Sequence, residues 1–303
     1  MIPNAPRPKA IRFGILIPQD APFDELVQRW RRAEELGFDA AYVADHSGDY
    51  RNLDGYWLDG WTVLTHVAAR TERIRIGTLV SNPLLHHPAQ LAKQAVAVDH
   101  LSGGRLELGI GTGIAGFDHD AVGQAYWPPA ERADRFAEYV AIVDGVLRST
   151  GRSFRHAGAY LRTEGTPMSP GPQQQPRPPI TVGGQSPTVL RVAVQHADCW
   201  NTHGPFGRAV DDIVEVTAQQ NGRLDQLCRE HGRDAPTLRR SLLLFEALDA
   251  WSSEHQFEHI VRQFLETGIH EFVVFWPPEG RLPLLSLAAE LMCVLRAGQD
   301  VPT

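Results

Sequence analysis

The sequence predicts an α/β fold of the (β/α)₈ TIM-barrel class, with insertion loops after strand four and before strand five, and three observations carry that prediction. Apolar, β-branched runs alternate with amphipathic helical stretches along the chain, the pattern of βα units that build a parallel sheet. The alternation completes eight strand–helix pairs. No break in composition divides them, so residues 1–303 read as one domain, whereas a doubly wound open sheet rarely needs eight consecutive units.

Strand one is Ile11–Ile17, and Phe23–Leu36 is its helix, closed by Gly37, a residue suited to the left-handed turn that ends helices. Ala40–Ala44 and Trp61–Thr71 form the second pair. Strand three is Ile74–Val80; its helix, Ala89–Leu101, begins after Pro88 and stops at Gly103-Gly104. Leu106–Ile110 and Arg132–Arg148 follow, then Ile180–Val182 with Ser186–Gln195, and Ala197–Asn201 with Ala209–His231. Arg239–Phe245 with Glu254–Thr267, and Glu271–Phe275 with Pro283–Leu295, complete the count. Two segments exceed a minimal barrel. Residues 149–179 hold a Pro/Gln-rich run that excludes regular helix or central strand and must return from the far side of the barrel. Ile114–Glu131 leaves from the end of strand four and is the better-placed active-site loop.

With 43% hydrophobic and 21% charged residues, the chain can bury a large core. A net charge of −7 with scattered cations gives no footprint for nucleic acid or an anionic membrane. Lys9 and Lys93 are the only lysines, and neither stands at a strand end, which argues against Schiff-base chemistry. Cys199, Cys228 and Cys293 are too few and too far apart for a disulfide framework or a metal knuckle, so reduced thiols are expected. Met1–Lys9 has no apolar leader segment, and no run approaches the roughly 18–20 apolar residues of a membrane span. A cytoplasmic protein is expected.

Barrel sites are built from the C-terminal ends of the strands. There stand Asp45-His46, Ser81-Asn82, Gly111-Thr112-Gly113, Gly183-Gly184-Gln185-Ser186, Asn201-Thr202-His203-Gly204 and Trp276-Pro277-Pro278. Gly183-Gly184-Gln185-Ser186 runs straight into a helix and reads either as an anion site, with backbone N–H groups and a helix dipole converging, or as a tight turn. His46 beside Asp45 suggests an acid–imidazole pair able to handle a proton near neutral pH. His86, His87, His119 and His156 sit in polar segments and read as solvated. A metal-dependent hydrolase is the lesser alternative, since strand one ends Ile17-Pro18-Gln19-Asp20 without a His-x-His pair; Asp118-His119-Asp120 looks ligand-like, but no metal is expected.

Several of these residues fall within longer motifs. Ile76–Val80, His87-Pro88-Ala89 and Asp99–Gly113 (DHLSGGRLELGIGTG) closely resemble the luciferase-like flavin monooxygenases and their F420-dependent relatives. So do Trp30–Asp45, Glu131–Phe136 and Ile180–Asn201, while residues after about 205 match only in the rhythm of the barrel.

The resemblance implies a barrel holding FMN or coenzyme F420 at the strand ends. It places Asp45 and His46 on a cofactor-contacting and proton-handling pair, and Tyr50 on an aromatic of the substrate pocket. Leu79 and Val80 fall on a bulge with a cis non-prolyl peptide behind the ring, Thr112 and Gly113 on ring or ribityl contacts, and Gly183, Gly184, Gln185 and Ser186 on the phosphate site. Where the F420-dependent sugar-phosphate dehydrogenases carry a glutamate, Ile114 stands here; with Trp57, Trp127 and Trp276 it suggests a fairly apolar substrate. Reduced FMN with oxygen would oxygenate a substrate, whereas F420 exchanges hydride. The wording of the strand-four and strand-five motifs favours F420, with Arg191 and Arg208 as candidates for its acidic tail, and the family implies a homodimer.

Overall fold

Eight parallel strands close on themselves in the order β1-β10-β9-β8-β7-β4-β3-β2, in a computed structural model that describes residues 10–165, 167–245 and 248–297. The barrel strands are β1 (Arg12–Leu16), β2 (Ala40–Val43), β3 (Arg75–Ser81), β4 (Leu106–Ile110), β7 (Ile180–Gly183), β8 (Cys199–Thr202), β9 (Arg239–Leu243) and β10 (Glu271–Phe275). Between β4 and β7 lies a small antiparallel hairpin, β5 (His156–Ala157) and β6 (Arg162–Thr163). Met1–Lys9, including Lys9, and Thr166 of the Pro/Gln-rich segment lie outside the described residues. The expected TIM barrel and its eight strands are present.

The barrel strands are buried on both faces, which is why they read as continuous apolar runs. Around them pack α1 (Phe23–Glu35), α2 (Gly60–Ala68), α3 (Pro88–Leu101), α5 (Pro129–Leu147), α6 (Pro187–His196), α7 (Val210–Glu230), α8 (Glu254–Glu266) and α9 (Leu284–Ala297). Helix α1 shows the principle: Leu26, Trp30 and Ala33, spaced three or four apart, form the buried stripe. Side-chain caps fix several helix starts, with Asp59 accepting from Thr62 N–H, Ser186 from Val189 N–H and Ser253 from Gln256 N–H. Among the described residues no helix is long and apolar enough to cross a membrane.

Strand β3 runs one residue past its expected end, to Ser81, because its register against β4 shifts between Thr78 and Ser81. The Leu79–Val80 peptide within that bulge is cis. The bulge crowds β4: a Cβ on Gly109 would lie 2.1 Å from the Thr78 carbonyl oxygen, so only glycine fits there. Within the loop after β4 a six-residue helix, α4 (Gly116–Ala121), forms that the sequence reading treats as irregular.

Residues 149–179 do return along the N-terminal face. Gln174 donates to the Asp99 carboxylate and the Leu106 carbonyl and accepts from Arg75, and Arg177 binds Asp144, Asp198 and the His196 carbonyl. On the same face Arg12, Arg75 and Arg239 surround Glu107 and Glu271, with the Tyr42 hydroxyl donating to both carboxylates. This charged plug closes the bottom of the barrel. Above it Leu16, Ala40, Tyr42, Leu79 and Val273 form an apolar layer on which the cavity rests.

Candidate active site

The C-terminal ends of the strands enclose a cavity of about 430 Å³, within the range of small-molecule sites. Its floor and walls are largely apolar, with Leu16, Leu79, Val80, Leu243 and Phe275 below and Trp57, Phe117 and Ile114 above. Gly111, Gly113, Gly183 and Gly184 bring bare backbone to the lining. His203, Phe206 and Phe245 pack ring against ring at the far rim, where Tyr50 joins Phe245 at 5.9 Å.

His46 is the polar centre of one wall, and its partner differs from the expected one. Its Nδ1 lies 2.7 Å from Asp118 Oδ2, not against Asp45. Asp118 is fully buried and also accepts from the Ser47 N–H and hydroxyl and from the Asn82 amide. Burial pushes the Asp118 carboxyl up, but the hydrogen bonds from His46 and Ser47 outweigh it and hold the group below the ordinary carboxylate range. An ionised Asp118 makes Nδ1 the protonated nitrogen of neutral His46, leaving Nε2 to give or take a proton. Trp57 Nε1–H donates to the His46 carbonyl at 3.0 Å and fixes the backbone.

Asp45, which lines the same cavity, stands beside this pair with partners of its own. Its Oδ2 accepts from the Asn82 N–H at 2.8 Å and faces His86 Nε2 at 3.0 Å. His86 and His119 are therefore not solvated: the His86 side chain is largely buried, and the buried His119 ring lies against the Gly113 and Ala125 carbonyls. Asp118, His119 and Asp120 thus do not converge, and among the described residues no three His, Cys, Asp or Glu side chains gather where they could hold a metal ion.

Of the other expected site residues, Tyr50, Leu79, Val80, Thr112, Gly113, Gly183, Gly184, Ile114 and Trp57 line the cavity. Gln185 and Ser186 do not; the Gln185 amide donates to the Gly204 carbonyl and Ser186 caps α6. The expected cradle of unpaired N–H groups is partly spent, since Gly184 N–H bonds the Asn201 carbonyl, Val189 N–H is capped and Pro187 has none. Trp127 lines a separate side cavity, and Trp276 an outer groove beneath Arg29. Arg191 bonds Thr188 on its own helix, and Arg208 is exposed in the loop after β8.

Asp118, as the partner of His46, and Phe206 and Phe245 are residues that sequence reasoning missed as site members; Asn82 and His203 were among the strand-end candidates but were given no role. Asn82 and His203 stood at strand ends, and that position was the available signal.

The sequence profile described as luciferase-like monooxygenase matches residues 10–281. The F420-dependent glucose-6-phosphate dehydrogenase of Intrasporangium calvum is 34% identical over 67% of this chain and 63% of its own length. The F420-dependent hydroxymycolic acid dehydrogenase of Mycobacterium tuberculosis is 27% identical over 79% of this chain and 64% of its own, and the pyrimidine monooxygenase of Acinetobacter baylyi 30% over 77% and 62%. The chain thus spans a little under two thirds of the length of these curated relatives. In fold it is similar to an F420-dependent secondary alcohol dehydrogenase solved with an F420–acetone adduct (TM-score 0.78, 16% identity, 93% of this chain and 98% of that one). A profile match over nearly all of the barrel places the chain in the luciferase-like monooxygenase family.

Proposed function

We propose that the cavity holds coenzyme F420 and that the protein exchanges two electrons between it and a small, fairly apolar organic substrate. The observation that carries this reading is an apolar slot whose polar wall is a histidine oriented by a buried aspartate. Such a site suits a flat ring system and one positioned proton donor or acceptor. The F420-dependent dehydrogenases among the relatives support F420 over FMN. The pyrimidine monooxygenase supports the second reading, reduced FMN with oxygen, in the same cavity.

The residues present fit the cofactor. Leu79 and Val80 would back the ring, Gly111, Thr112 and Gly113 would flank it, and the bare backbone of Gly183 and Gly184 would admit its phosphate. When bound, the deazaflavin supplies two-electron chemistry at the substrate carbon. His46 would accept the proton of a substrate hydroxyl at Nε2, or return it in the reverse direction, while Asp118 steadies the imidazolium. Ile114, at the position of the sugar-phosphate enzymes' glutamate, offers no carboxylate there, so glucose 6-phosphate is not the proposed substrate. The homodimer expected from the family belongs to this proposal.

A Gly183→Val variant tests where the cofactor lies. Gly183 lies outside the left-handed backbone region, and a Cβ there would sit 3.1 Å from the Val80 side chain, so the added methyls crowd Val80 and the cavity wall. The Kd for F420 should rise at least about tenfold with the thermal transition shifted by only a few degrees. Binding equal to that of the parent would remove the cofactor from this cavity.

A further inference from the structure

The wall of the cavity holds two acid–imidazole pairs joined through one residue. Asn82 donates its backbone N–H to Asp45 and its side-chain amide to Asp118, so His86–Asp45 and Asp118–His46 share a hinge. The two histidines face different spaces. His46 and Asp45 line the main cavity, whereas His86 lines a side cavity of about 340 Å³ with Trp127, Arg135 and Tyr139. Thr112 belongs to both linings, so the cavities share a wall.

We propose that His86 is a positioning residue for the active cavity: paired with Asp45 and reached through the side cavity, it sets the charge that the Asp45 carboxylate presents to the bound cofactor. The proposal rests on the F420 reading above. Protonated His86 and ionised Asp45 form a pair of zero net charge. Neutral His86 leaves the carboxylate uncompensated, and an anionic ligand beside it is repelled. Because His86 opens on the side cavity, its proton can exchange while the main cavity is filled.

The groups facing His86 favour the charged form. Asp45 comes from the end of β2 and Asp59 from the start of α2; the Gln94 side chain of α3 and the edge of Trp61 complete the contact. The Tyr139 hydroxyl of α5 fixes the His86 carbonyl, and Arg135 and His87 share the side cavity. Burial pushes the imidazole down, but the hydrogen bond and charge of Asp45, with Asp59, outweigh it and hold His86 above its ordinary value.

Ring ¹⁵N–¹H NMR of the ligand-free protein, taken from about pH 5 to 9, reads the His86 midpoint directly. Asp45→Asn should lower that midpoint by about one pH unit or more. In parallel, the Kd for F420 should rise several-fold, up to about tenfold, as pH climbs through the parent's midpoint, and His86→Gln should flatten that dependence. A midpoint unmoved by Asp45→Asn, or a His86→Gln variant with the parent's pH dependence, would overturn the proposal. If neither F420 nor FMN binds the parent at any pH, the cofactor reading falls instead, and the ring titration alone decides whether Asp45 governs His86.

Discussion

His46 illustrates what a sequence does and does not reveal about a single side chain. Its place at a strand end, beside Asp45, was legible because β2 ends in a run of apolar residues that stops there. Its true partner was not, since Asp118 lies 72 residues away on a helix too short for periodicity to register. The Asp118 contact gives a testable distinction between orienting and reacting groups. His46→Ala should lower kcat by about two to four orders of magnitude, the range for a lost general acid or base. Asp118→Asn keeps the shape but loses the charge that selects the tautomer and should cost about one to three orders. Both variants should bind F420 within a few-fold of the parent. Steady-state rates on the best substrate of an alcohol and ketone panel provide the measurement, and full activity in Asp118→Asn would detach it from the mechanism.

At the scale of elements, the long segment before β7 shows how composition can mark an excursion without saying what it does. Its prolines announced irregular backbone, and the side it returns from followed from barrel topology. Its anchoring by Gln174 and Arg177 required tertiary contacts that no local pattern encodes, as did the capping of hairpin backbone N–H groups by Glu138. Arg177 has a buried guanidinium between Asp144 and Asp198. Its loss in Arg177→Ala should destabilise the fold by about 3 kcal/mol, lowering Tm by roughly 5–10 °C, while F420 binding stays intact. Burial raises the Asp144 carboxyl, but hydrogen bonds from His196 and Arg177 and the Arg177 charge outweigh it, and its pKa is depressed well below the ordinary range. A depressed carboxylate contributes stability above its unfolded pKa, near 4, and loses it as pH falls toward the folded value. Differential scanning calorimetry should therefore show the gap between parent and Arg177→Ala narrowing below about pH 4; a gap constant with pH would contradict the ion-pair account.

Across the whole molecule the two ends of the barrel divide the work. The N-terminal end carries a plug in which the half-buried Arg12, Arg75 and Arg239 pair with the buried Glu107 and Glu271. The C-terminal end carries polar side chains that line a cavity, with His46, Asp45 and Asn82 beside apolar walls. The barrel itself was legible from its eight alternations because each strand is buried on both faces. The rim was legible only in part: strand ends mark where a site lies, whereas Phe206 and Phe245 meet across loops that the sequence does not bring together. The claim that this rim is an F420 site is tested most directly by titrating the protein with F420 and with FMN at low and high salt, following tryptophan fluorescence, since Trp57 lines the cavity. The account predicts F420 binding at least about tenfold tighter than FMN, weakening as salt screens its acidic tail over about 10 Å at 0.1 M. Tight, salt-insensitive FMN binding with no detectable affinity for F420 would contradict it and favour the oxygen-dependent reading.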